Sequence, residues 1–341
     1  MNSKIFLFLL AFSVTLGLTP IVKKIAFGLR IIDHPSHRKI HSNPTPLLGS
    51  IAVYLGFLSS LFLFGQGVFV YQETTILLIG GTLLLVVGLL DDAGFLHPQI
   101  KLMVAMPISA LILVFWDLHL RLFPIPFLNY FFTFFWIVGI TAAYNLLDGM
   151  DGLSTGVCLI ASFFYFIIGM VTGDRFLIFL SLPLMGSCLA FLIYNFHPAK
   201  IFLGDSGAIF LGFILASVGL HVANNENLPI STRWMLPILI LLVPIFDTSL
   251  ITISRLRRGL IPFLHPGKDH SHHRLFNLGL GQRKTVLLIY LFGIGSGVIS
   301  LINYYISTLG AYIIFCLLLI TCLVLFFSFE RLPYERQELI K

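Results

Sequence analysis

Four short polar motifs interrupt an otherwise apolar chain of 341 residues: Asp91-Asp92, Asn145-Leu-Leu-Asp148-Gly-Met-Asp151-Gly, Phe202-Leu-Gly-Asp205-Ser-Gly and His270-Ser-His272-His273. Asp91 and Asp92 close an apolar run, where two adjacent carboxylates repel each other and oppose the negative end of a helix dipole. Such a pair calls for a cation nearby, although alone it also reads as a solvated stop. Asn145, Asp148 and Asp151, spaced three and three, lie near one face of a helical turn. A neutral amide oxygen beside carboxylates suits a hard cation such as Mg²⁺, which takes oxygen ligands and keeps some of its waters. Capping would account for one of these acids, not for all three polar residues.

Asp205 and Ser206, between Gly204 and Gly207, open another apolar run. Either residue reads as an N-cap, and a glycine-flanked helix N-terminus is also a place for a phosphate. Phe202 offers a stacking face to a base. His270, His272 and His273 lie in the most basic segment, with Arg255, Lys268 and Arg274. Clustered imidazoles with Lys and Arg fit a polyanion; zinc is the alternative, but no fourth ligand follows at a typical spacing. Asp247, just after Pro244 inside an apolar run, must face the interior of a bundle. It pairs with an Arg of the next segment or with backbone freed by the proline. Lys39, in the basic stretch 33–46, adds a further cation or serves as a membrane anchor. No P-loop or Rossmann fingerprint is present. Each motif alone has an ordinary explanation; together their residue types suit a metal ion and a phosphate ligand.

The elements that must bring them together are membrane helices. Of the residues, 57% are hydrophobic and 11% charged, against about 25% charged in soluble domains. Apolar runs predict eleven spans, near 4–20, 47–65, 74–90, 102–116, 127–143, 153–172, 176–194, 206–222, 233–253, 285–304 and 310–328. Their lengths match a hydrocarbon core of about 30 Å at 1.5 Å per residue. Threading them puts all four motifs on one side. That side carries 17 of the 21 Lys and Arg, leaving Lys4, Arg121, Arg175 and Arg233 on the other. The positive-inside rule then predicts an outer N-terminus and a cytoplasmic C-terminus. The expected fold is an all-α polytopic bundle forming one domain over 1–341. The first span lacks a cleavage site and is expected to stay in the mature protein. Cys158, Cys188, Cys316 and Cys322 all lie in apolar runs and read as small core residues.

Taken in order, Asp91-Asp92, the Asn145–Gly152 motif, Phe202–Gly207 and Pro262-Phe-x-His-Pro-x₃-His270-x-His-His resemble the polyprenyl-phosphate N-acetylhexosamine-1-phosphate transferases, bacterial members of glycosyltransferase family 4. The resemblance covers roughly residues 20–275, and residues 38–50 lean toward the N-acetylglucosamine branch. It implies transfer of GlcNAc-1-phosphate from a UDP-N-acetylhexosamine to undecaprenyl phosphate, releasing UMP, with Mg²⁺ (or Mn²⁺) as cofactor. Such a reaction initiates a cell-surface glycan such as O-antigen or a teichoic-acid linkage unit. By motif position, Asn145 and Asp205 would hold the metal, and Asp91 and Asp92 would serve the lipid phosphate. Asp148 would line the donor site, with Asp151 facing the uracil and Phe202 stacking on it. Lys101 and the segment His270, His272, His273, Arg274 would hold diphosphate and sugar, and Lys39 would be a further substrate-binding residue. The family works in the bacterial inner membrane with its site at the cytoplasmic face. Membrane lipid is a partner, nucleic acid is not, and a homodimer is compatible. Ser271 and Gly267-Lys268-Asp269 depart from the family pattern and leave the sugar open. The alternatives are the lipid I-forming phospho-MurNAc-pentapeptide translocase and, from another class, a secondary transporter, whose polar site would belong near the midplane.

Overall fold

The computed structural model describes residues 2–35, 43–65, 72–96, 98–262 and 267–332. Lys39 and the Phe263–Pro266 part of the basic segment lie outside the described residues. Helix lies over every one of the eleven apolar runs, in the order α1 (Asn2–Gly28), α2 (Gly49–Phe64), α3 (Gln72–Asp92), α4 (Pro98–Ile100), α5 (Met106–Phe115), α6 (Pro126–Leu147), α7 (Leu153–Thr172), α8 (Arg175–Asn195), α9 (Asp205–Asn224), α10 (Met235–Ile240), α11 (Leu242–Arg257), α12 (Ser271–Leu275), α13 (Gly281–Tyr305) and α14 (Thr308–Glu330). Among the described residues, eight helices are long and apolar enough to cross a membrane, and Gly49–Phe64 and Lys101–Phe115 are shorter apolar helices. The run at 233–253 is broken at Leu241 into α10 and α11. Two π-helical turns, Lys101–Ala105 and Phe276–Leu280, precede α5 and α13.

Two details depart from the sequence reading. A two-residue antiparallel pairing, Ile32 with Pro46 and Asp33 with Thr45, closes the 21–46 connection. The long connection expected over 254–284 is largely helical: α11 continues to Arg257, and Ser271–Leu275 already begins the next helix. Buried ion pairs, Arg255 with Asp269 and Arg274 with Glu330, hold charged side chains of this stretch within the fold.

Helix α9 runs through the middle of the bundle, with nearly all of its residues buried. Small residues let its neighbours come close. A Cβ on Gly212 would stand 2.7 Å from Cβ of Tyr144 on α6, and one on Gly88 of α3 would stand 2.3 Å from Cα of Ser206. The two ends of α9 are polar in different ways. One carries Asp205. Sixteen residues on, roughly 24 Å at 1.5 Å per residue, His221 bridges Glu73 (2.8 Å) and Asp174 (2.9 Å). The outermost helix, α14, exposes most of its apolar surface.

Candidate active site

The site is built where α3 ends and α9 begins. Asp92 aims its carboxylate at the N-terminus of α9, accepting from the backbone N–H of Asp205 (2.9 Å) and Ser206 (3.2 Å) and from Ser206 Oγ (2.6 Å). The cap expected from Asp205 or Ser206 is therefore supplied by another helix, and Gly204 occupies the N-cap position itself. The anion that a helix N-terminus attracts is here the protein's own carboxylate. Gly204 has φ +81°, and a Cβ there would lie 2.5 Å from Asp92 Oδ2, so only glycine fits. The N–H groups of Gly49 and Ser50 donate to the carbonyls of Phe202 and Leu203, both at 3.0 Å. Ser50 Oγ meets Ser206 Oγ at 2.7 Å. The start of α2 thus clamps the half-buried Phe202 segment in place.

Asp91 and Asp205 share one ammonium. Lys101 Nζ lies 2.7 Å from Asp91 Oδ2 and also bonds Asp205 Oδ2. Lys101 stands in the π-helical turn, a distortion that recurs at functional sites. The Asp91 and Lys101 side chains are buried, while that of Asp205 is 44% exposed and open to a ligand. Asn145 and Asp148 follow at the end of α6, and Asp151 in the turn before α7. Ser154 Oγ donates to Asp148 Oδ1. Burial pushes the Asp148 carboxyl up to about 7 against that hydrogen bond, and the charges on Asp205, Asp92 and Asp151 push the same way. The Asp91-Asp92, Asn145–Gly152 and Phe202–Gly207 motifs are therefore close enough to feel one another's charge. Asp151 Oδ2 accepts from Ala199 N (3.0 Å) and meets His197 Nδ1 (2.7 Å), bracing the segment that leads to Phe202.

The donor set fits a divalent cation. Five carboxylates gather with one lysine, and Asn145 Oδ1 is buried with no hydrogen-bond partner among the described residues. A buried carbonyl oxygen left without a donor is costly and is suited to a hard cation.

The histidine segment meets the same end. A Cβ on Gly149 would lie 2.5 Å from His272 Nε2. His272 is fully buried, and neither of its ring nitrogens has a hydrogen-bond partner among the described residues. His270, His272 and His273 pack ring against ring, with centroids 4.5 to 6.1 Å apart. Arg274 is placed differently from its neighbours. Its guanidinium, fully buried, donates to Asp269 O (2.7 Å), Phe329 O (2.7 Å), Ser254 Oγ (3.0 Å) and Glu330 Oε1 (2.9 Å). Those partners tie the segment to α11 and to the end of α14.

Asp269 and His197 were not singled out from the sequence, and the partners of Asp247 and Ser206 were not legible there. Asp269, 3% exposed, accepts from Arg255 Nε (3.0 Å) and Nη2 (2.7 Å) and from Arg258. Burial alone would raise its carboxyl, but the two guanidiniums hold it at about 2. Asp247 pairs with His270 rather than with an arginine. His197 carried no signal beyond its residue type. Ser206 had one, its place beside Asp205 at a helix start.

The match to known sequences is consistent with this arrangement. The family model described as glycosyl transferase family 4 matches residues 74–223. The Bacillus subtilis protein named "Probable undecaprenyl-phosphate N-acetylglucosaminyl 1-phosphate transferase" is 37% identical over 298 residues, covering 84% of this chain and 81% of its own length. This chain belongs to that family. Other relatives include the decaprenyl-phosphate N-acetylglucosaminephosphotransferase of Mycobacterium leprae, 32% identical over 82% of this chain and 78% of the relative. The undecaprenyl-phosphate alpha-N-acetylglucosaminyl 1-phosphate transferase of Escherichia coli K12 is 27% identical over 79% and 75%. The family match falls on the segment that holds α3, α6 and α9 and the three acidic motifs.

Proposed function

We propose that this protein transfers N-acetylglucosamine 1-phosphate from its UDP-sugar to undecaprenyl phosphate, giving the lipid diphosphate-sugar and UMP. The observation that carries this reading is the meeting of four sequence-distant motifs at one end of the bundle. Asp92 lies on the start of α9, Lys101 on Asp91 and Asp205, and His272 on Gly149. The names of the relatives supply the transferred group and the acceptor. We further propose eleven crossings in one domain, an outer N-terminus, and a site facing the cytoplasm from the inner membrane. The 17-to-4 division of Lys and Arg supports this topology.

Asn145 and Asp205 would hold Mg²⁺, with Mn²⁺ as a substitute; when bound, the ion neutralises charge on the transferring phosphoryl group. In the reaction, a lipid phosphate oxygen bonds to the sugar-bearing phosphorus as its bond to the bridging oxygen breaks, and UMP leaves with that electron pair. A phosphate monoester has a second pKa of about 6, so most of the nucleophile is already dianionic at neutral pH. Asp91 is then needed to orient it or to take the last proton, not to form a covalent phosphoenzyme. Asp92 fixes α9 and with it Asp205. Lys101 balances Asp91 and Asp205 and lies at hand for the diphosphate. Asp148, Asp151 and Phe202 would line the nucleoside pocket, and His270, His272 and His273 the diphosphate and sugar. Arg274 would act by anchoring the histidine segment.

The test is purified protein with undecaprenyl phosphate and a panel of UDP-N-acetylhexosamines, scoring Mg²⁺-dependent UMP release. Turnover with the N-acetylglucosamine donor is expected, and no lipid-dependent UMP from any donor would end the reading. A stoichiometric burst of UMP without lipid would replace single displacement by a covalent route.

A further inference from the structure

Asp247 is a buried carboxylate outside all four motifs. It stands on α11 with 1% of its surface exposed, and among the described residues its hydrogen bonds go to the start of the histidine segment. Asp247 Oδ2 lies 2.7 Å from His270 Nδ1. Oδ1 accepts from the N–H of Ser271 (2.7 Å) and from its Oγ (2.6 Å). A carboxylate buried this deeply is held ionised only by such donors. Being acceptor-only, it requires His270 Nδ1 to carry the hydrogen. That fixes both the ring's orientation and the nitrogen left for another partner, which is Nε2. His270 has no side-chain cap bond of its own to the helix that follows, so Asp247 also ends that helix from outside. One residue before His270, Asp269 is gripped by Arg255 and Arg258 at the end of α11. The start of the histidine segment is thereby pinned to α11 at two points.

Asp247, His270 and His272 also lie close enough to suggest a metal cluster. Coordination is the poorer reading. Both Asp247 oxygens already have donors, and the His270 and His272 rings lie nearly parallel, 28° apart with centroids at 5.1 Å. Stacked rings do not point their in-plane lone pairs at one ion.

We propose that Asp247 is a positioning residue for the transferase reaction. By accepting the Nδ1 hydrogen and fixing the orientation of His270, it holds an imidazolium whose Nε2–H donates to the diphosphate of the nucleotide-sugar donor. This rests on the reaction proposed above. The role differs from a purely structural one because it acts through a single imidazole.

Asp247→Asn tests it. The amide preserves volume and can still accept from Ser271, but its NH₂ is a donor and cannot accept the hydrogen on His270 Nδ1. Loss of such an outer-shell partner to a functional histidine is worth about 10- to 100-fold by analogy with metal-site histidines. That loss is expected in kcat/KM for the UDP-sugar, with KM for undecaprenyl phosphate unchanged. In a His270→Gln background, Asp247→Asn should then change activity less than about twofold, because the group it acts through is gone. An equal loss in both backgrounds would assign Asp247 a structural role and overturn the proposal. So would wild-type activity in the single variant, or a stoichiometric transition metal that copurifies with the wild type and is lost from Asp247→Asn. A wild type that turns over no UDP-sugar would overturn the reaction and this role together, whereas an active wild type with an indifferent variant overturns this role alone.

Discussion

Replacing Gly88 by alanine should disable the site through a single methyl group. Gly88 faces the start of α9, and a Cβ there would stand 2.3 Å from Cα of Ser206, 2.8 Å from its Cβ and 2.9 Å from its N. Ordinary contact begins at 3.4 Å, and the obstacle is backbone, so relief needs roughly 1 Å of separation between α3 and α9. Asp92 is four residues further along the same face of α3. Its bonds of 2.9, 3.2 and 2.6 Å to Asp205 and Ser206 do not survive such a retreat, because hydrogen bonds fade beyond about 3.5 Å. Two effects compete. Alanine favours a helix over glycine by about 0.5–1 kcal/mol, whereas overpacking costs about 1–3 kcal/mol, so the steric term wins. A displacement of about 1 Å at reacting groups costs on the order of 100-fold in rate. Gly88→Ala should therefore lose about two orders of magnitude in UMP release and melt at a lower temperature in detergent. Gly139→Ala, whose Cβ meets open space, is the matched control and should keep both. Wild-type turnover by Gly88→Ala would show that the α3–α9 junction does not set the position of Asp205.

The Asp148 carboxyl is raised to about 7 in the folded protein, against about 3.9 in an unfolded chain. The folded state thus holds a proton that the unfolded state releases, a contribution fully present below about pH 4 and lost as pH rises through 7. Cation-free protein should lose roughly 1 kcal/mol more stability between pH 6 and pH 8 than Asp148→Asn does; parallel melting curves for the two would contradict the assignment. Asn145→Ala removes a buried oxygen that has no hydrogen-bond donor. Stability without divalent ions should therefore hold within about 1 kcal/mol, while the Mg²⁺ needed for half-maximal UMP release rises about tenfold or more. An unchanged Mg²⁺ requirement would remove Asn145 from the metal site. Asp269→Ala strands the buried Arg255 guanidinium and should cost about 3 kcal/mol or more, read from thermal unfolding in detergent; a loss under about 1 kcal/mol would mean that the Arg255–Asp269 pair does not hold the histidine segment.

The helices were legible because a bilayer imposes length and composition on each segment independently, so apolar runs locate them without knowledge of their neighbours. The three acidic motifs were legible for a related reason: a carboxylate at the end of an apolar run is unfavourable enough to need an explanation there. The identity of each carboxylate's partner was not legible. Asp92 reads locally as a helix stop, yet it caps a helix that starts 113 residues later. Asp247 reads as a proline-associated acid, yet it holds His270. Arg274 reads as a free cation beside histidines, yet its guanidinium is fully buried among Asp269, Ser254, Phe329 and Glu330.

By itself, the amino-acid sequence determined that this chain is a bundle of membrane helices and which residues could serve metal and phosphate chemistry. Both follow from the residue type and its immediate neighbours. Only the tertiary structure decided which acids lie open, as Asp205 does, and which are engaged in capping, as Asp92 is, or in pinning histidines, as Asp247 is. A hydrogen bond joins groups by their distance in space, and the folding of α3, α9 and α11 against one another sets that distance.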